Sequence, residues 1–206
     1  MEFQCSYQDL MESIAKDSAS LREAWAIQGA YSSSDIKKAI RLYIRTPGIV
    51  NVMLNYKICV EHGLPLHPSV YYELKEARKD KIDHGLPAVE NANRLYRESI
   101  LLARKALDMG GEFPARGVEF LRKLPRELKN FIYTGIRDTY TWRGSEPTLL
   151  LRLAEMWRRE YGPELILAAA HGGIMPALLL AEFLDTPLYF IRFSMFKRHD
   201  EEHIIS

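Results

Sequence analysis

The sequence predicts an α/β protein: a helical N-terminal region followed by the first strands of a parallel sheet. Three observations predict it. Apolar residues recur at helical spacing through most of the first 160 positions. The pattern breaks at Gly162-Pro163. Beyond that break, two short apolar runs, "ELILAAA" and "TPLYFIRFSMF", flank one helical stripe, "IMPALLLAEFL". Strand, helix and strand in that order make one crossover unit of a parallel sheet.

In the helical part, "SYQDLMESIAKDSASLREAWAIQGAY" spaces Leu10, Ile14, Leu21, Ala24 and Trp25 along one face, with Gly29 as a stop. "SSSDIKKAIRLYI" offers serine caps, Asp35 in the first turn, and Ile36, Ile40, Leu42 and Tyr43 as an apolar side. It ends at Thr46-Pro47-Gly48, and a third helix is expected over residues 49–61. "HGLP" occurs at 62–65 and again at 84–87. Glycine and proline there are loop chemistry, and His62 and His84 match no metal-ligand spacing. "LPAVENANRLYRESILLARKALDMGG" carries a stripe of Val89, Leu95, Tyr96, Ile100, Leu101 and Ala103. Shorter helices are expected over 114–123 and 125–138. In "GSEPTLLLRLAEMWRREYGP", Ser145 is the expected cap and Pro147 opens the helix. Trp25, Tyr96, Trp142 and Trp157 are expected to pack in the core rather than form a stacking platform.

Bulk properties narrow the classes. The 206 residues carry 28 Lys and Arg against 27 Asp and Glu, so no global field favours nucleic acid or an anionic membrane. The basic stretches "SDIKKAIRLYIR" and "ARGVEFLRKLPRELKN" each bear an apolar stripe, which a solvated outer helix face explains. Cys5 and Cys59 form no Cys-x-x-Cys pair, and no apolar run reaches the ~20 residues of a membrane span. The start, "MEFQCSYQDL", lacks the order of a signal peptide, so a reduced, cytoplasmic protein is expected.

"HGG" at 171–173 stands where the first parallel strand meets its helix. Loops at the carboxyl ends of such strands commonly take ligands. Glycines there permit close approach or unusual backbone angles, and the following helix favours negative charge. "ELILAAAHGGIMPALLLAEFLDTPLYFIRFSMFKR" resembles the opening strand–helix–strand of a type I phosphoribosyltransferase. The expected fold is thus a helical N-terminal region (1–160) followed by the first strands of a phosphoribosyltransferase-like parallel sheet (161–206). The resemblance implies that His171, Gly172 and Gly173 contact pyrophosphate and that Arg192, Lys197 and Arg198 add cationic contacts. It further implies phosphoribosyl diphosphate (PRPP) as substrate, pyrophosphate as product, and Mg²⁺ as cofactor. His171 stands where the family often has Arg or Lys. The family's acidic pair followed by Thr-Gly is not found, and "LDTP" at 184–187 joins a helix to a strand; a truncated chain is the favoured explanation. The rival reading is a non-catalytic helical interaction module with a remnant sheet, which predicts a stable partner or a homo-oligomer.

Other motifs are set aside. "HDEEH" at 199–203 formally matches His-x-x-Glu-His, but follows a strand and has no third ligand. A lipase-like oxyanion loop would require Gly-x-Ser-x-Gly, which is missing. Neither a dinucleotide fingerprint nor a Walker loop occurs.

Overall fold

The computed structural model describes residues 2–65, 82–108, 111–136 and 143–192. The described residues are mostly helical, with two small two-stranded sheets among them. It divides into two compact units, Met1–Arg137 and Asp138–Ser206. The division falls earlier than the compositional change near residue 160, because the helix over Pro147–Glu160 packs on the helix of the strand–helix–strand unit.

The first unit opens with a strand, β1 (Glu2–Ser6), which runs directly into α1 (Tyr7–Gln28). Ser6 caps α1 by accepting from the Asp9 amide at 3.1 Å, and Gly29 closes it in the left-handed region. Ser32 and Asp35 form a reciprocal capping box on α2 (Ser33–Arg45). α3 (Pro47–Glu61) follows, and its buried residues include Ile49, Val52, Met53 and Ile58. α1 is anchored to it by Tyr7, fully buried, whose hydroxyl donates to the Ile49 carbonyl at 3.0 Å. Between α1 and α2, Arg41 Nε donates to the buried Asp17 carboxylate at 2.6 Å. α4 (Leu86–Leu107) and α5 (Phe113–Lys123) complete the helical body.

Three expectations change here. The helix expected over 125–138 is a single turn, α6 (Arg126–Lys129), followed by strand β2 (Ile132–Ile136). β2 pairs antiparallel with β1, Glu2 opposite Ile136 and Ser6 opposite Ile132. The β-branched and aromatic run "FIYTGI" favours an extended chain once a partner strand lies beside it. The apolar stripe of α2 is buried only at its C-terminal half, where Leu42 and Tyr43 enter the core; Ile36 and Ile40 remain exposed. Trp25 is likewise 55% exposed and lies against Tyr31 with ring centroids 5.2 Å apart. The two "HGLP" loops meet: the Ile82 amide donates to the Gly63 carbonyl at 2.8 Å, and His84 Nε2 donates to the Leu64 carbonyl at 2.8 Å. The second of them leads into α4, with Pro87 in its first turn.

The second unit comprises α7 (Pro147–Glu160), β3 (Ile166–Ala169), α8 (Ile174–Leu184) and β4 (Leu188–Ile191). Glu146, not Ser145, caps α7, accepting from the Leu149 amide at 2.9 Å. β3 and β4 are parallel, with Ile166 opposite Leu188 and Ala169 opposite Ile191, so the expected strand–helix–strand unit forms. α8 packs on both strands and on α7. Its apolar residues Ile174, Met175, Ala177, Leu178 and Ala181 are buried. Asp185 ends α8 in the left-handed region, and "LDTP" joins helix to strand as read from the sequence. Among the described residues, α8 covers one face of the sheet. Leu165, Leu167 and Tyr189 are each more than half exposed, where the continuous apolar runs predict burial on both sides.

Candidate functional site

The turn between β3 and α8 is built by strand pairing. The Ala170 amide donates to the Ile191 carbonyl at 2.8 Å, which carries the parallel ladder one residue past β3. The parallel register therefore brings Ala170 off one strand end beside Arg192 off the other. The Ala170–His171 peptide is cis.

The two glycines serve different ends. A Cβ on Gly173 would sit 2.5 Å from the Ala169 carbonyl oxygen, so only glycine lets the turn close that tightly. Its φ of −76° lies in the ordinary helical region. Close approach, not an unusual backbone angle, demands glycine there. Gly172 is exposed, and a Cβ there would meet open space.

The available donors follow from the same geometry. The Gly173 amide already donates to Ala169 at 2.9 Å, and the Ile174 amide donates to His171 at 3.1 Å. Gly173 therefore has no free amide for the pyrophosphate contact that the resemblance implies. Among the described residues, the amides of Gly172 and Met175 have no backbone acceptor. Pro176, next in the first turn of α8, has no N–H to offer. Met175 was not legible as a donor, because its amide is free only through the local bonding of the turn.

His171 and Arg192 flank this turn. Arg192 is 8% exposed, immediately after β4. His171 Nδ1 is buried and has no hydrogen-bond partner. Burial, and then the neighbouring Arg192 charge, push the His171 imidazole down to about 3 from an ordinary 6.5. The ring is neutral at neutral pH, so Arg192 is the cation the described part of the turn supplies. Lys197 and Arg198, expected to add charge, and the "HDEEH" segment lie outside the described residues.

The depressed His171 value predicts an acid-labile turn. As pH falls below 6.5 the unfolded chain takes up a proton that the folded imidazole refuses. Stability is therefore full above that value and is lost progressively as pH falls toward 3. Urea unfolding at a series of pH values should show a steeper acid loss for the natural chain than for His171→Leu. Equal slopes would remove His171 from the account.

Among the described residues, no group of three or more His, Cys, Asp or Glu side chains gathers as a metal site, and no helix is long and apolar enough to cross a membrane. Comparison with protein-family models, with curated proteins and with solved structures finds no match to this chain.

Proposed function

We propose that the β3–α8 turn binds the diphosphate of PRPP, and that the protein transfers phosphoribose to a nucleophile with release of pyrophosphate. The observation that carries this reading is the turn itself. It lies at the carboxyl end of a parallel strand, opens at Gly172, presents free amides at Gly172 and Met175, and has Arg192 beside it. In the reaction, a bond forms from the nucleophile to the anomeric carbon while the bond from that carbon to the diphosphate oxygen breaks. Negative charge grows on the departing oxygens. Amide hydrogens and a guanidinium held in place beforehand stabilise that charge without reorganising. Neutral His171 contributes one N–H and adds no charge.

The described residues of the turn suit an anion and do not suit a protein-held Mg²⁺. They are glycines, a neutral imidazole and an arginine, with no carboxylate to coordinate a hard cation. The Mg²⁺ implied by the resemblance is read as arriving with the diphosphate.

Calorimetry with pyrophosphate and with PRPP, each with Mg²⁺, tests the reading. Saturable binding that disappears in Gly172→Glu is expected. A null titration with both ligands ends the proposal.

A second reading, a helical interaction module, is favoured by the apolar residues left exposed on α1 and α2: Trp25, Ile27, Ile36 and Ile40. It predicts self-association, read by light scattering, together with no anion affinity.

A further inference from the structure

In the first unit, a cavity of about 290 Å³ lies between α1 and the start of α5. Ser18 and Arg22 reach it from α1, one helical turn apart and so on one face. Ala19 and Ala26 leave the space open, and Gly111 and Pro114 close the far side.

Two polar side chains lining this cavity, Ser18 and Arg22, have no partner among the described residues. Ser18 is 1% exposed. A serine inside a helix usually bonds back to the carbonyl a turn earlier. Among the described residues, the Ser18 side chain makes no hydrogen bond. Arg22 has neither an ion pair nor a hydrogen bond with another described residue. Its guanidinium instead lies against Gly111, in the space a Cβ there would need. α5 begins without a side-chain cap and with no acidic residue in its first turn. The amides of Phe113 and Ala115 have no backbone acceptor among the described residues, and Phe113 is fully buried. Glu112 is turned along its own helix to Arg116, at 2.9 Å. Among the described residues, Glu23 is the one carboxylate lining the cavity, and it is exposed.

A buried hydroxyl, an unpaired guanidinium and an uncapped helix start together match an oxyanion with several acceptor oxygens. We propose that this cavity binds a phosphate group, as the free ion or as a small phosphomonoester. The inference does not depend on the phosphoribosyl-transfer reading, which concerns the other unit.

Amide chemical shifts of the ¹⁵N-labelled full chain, titrated at constant ionic strength with inorganic phosphate and separately with ribose 5-phosphate, test it. Saturable shifts are expected at Ser18, Arg22, Gly111 and Ala115. Shifts confined to residues 171–175 would instead report the β3–α8 turn and overturn this proposal. Tighter binding of the ester assigns the site to a phosphomonoester, and equal binding assigns it to the ion. Arg22→Met should weaken binding by about tenfold or more, and Ser18→Ala by a few-fold. Glu23→Gln, which removes the opposing charge, should tighten it. Arg22 is exposed, so its variant keeps the fold and remains decisive if Ser18→Ala destabilises α1. Unchanged affinity in Arg22→Met, weaker binding in Glu23→Gln, or no saturable shift with either probe sinks the proposal.

Discussion

Replacing Arg192 with Met is expected to weaken pyrophosphate binding by about 30-fold or more, with the fold retained. Arg192 is nearly buried at the mouth of the β3–α8 turn, where water screens its charge poorly. Truncating one partner of a buried, charge-assisted contact typically costs about 2–5 kcal/mol, and the lower end of that range is the factor given. Methionine keeps the length and apolar stem of the side chain, so the packing beneath changes little. The same substitution has a second readout. Arg192 is the lesser of the two causes that depress His171, and burial remains. The imidazole should therefore rise from about 3 without reaching its ordinary 6.5. Calorimetry with pyrophosphate reads the affinity, and proton NMR of the ring reads the titration. Unchanged affinity would remove Arg192 from the site even if His171 moves.

The glycine pair yields the other large effect, through its asymmetry. Gly173→Ala forces a methyl to within 2.5 Å of the Ala169 carbonyl oxygen, a backbone atom that cannot swing aside. Relief requires opening the bond from the Gly173 amide to that same oxygen, which closes the turn. The expected cost is about 1–3 kcal/mol, as for other overpacked sites. It should appear as faster hydrogen exchange through the first turns of α8, together with loss of pyrophosphate binding. Gly172→Ala adds its methyl to open space with no positive φ to strain, so stability should change by no more than about 0.5 kcal/mol. That methyl would still stand where an anion must approach, so binding should fall several-fold. If Gly173→Ala is as stable as the natural chain, the tight closure is not what positions the free amides.

Local signals carried much of the fold. The cap at Ser32 with Asp35, the stop at Gly29 and the proline opening of α7 are short-range chemistry. The strand–helix–strand order after Pro163 was equally legible, since apolar runs and a helical stripe differ in period. β1 and β2 were not. Each is a five-residue segment whose extended form depends on a partner some 130 positions away, and no local pattern encodes that pairing. The burial of alternate residues was also hidden. From Leu165 to Ala170 every side chain is apolar, so the run cannot say that Leu165 and Leu167 stay exposed.

At the turn, the residue types alone established a pair of glycines after a strand and before a helix, with a histidine ahead of them. They did not decide which glycine was needed for closure, which amides stayed free, or whether the histidine carried charge. Those properties depend on the Ala169 carbonyl, on the parallel register that brings Arg192 alongside, and on the burial of one imidazole nitrogen. Hydrogen-bond competition and desolvation act between groups that only the folded chain brings together, so the tertiary structure decided them.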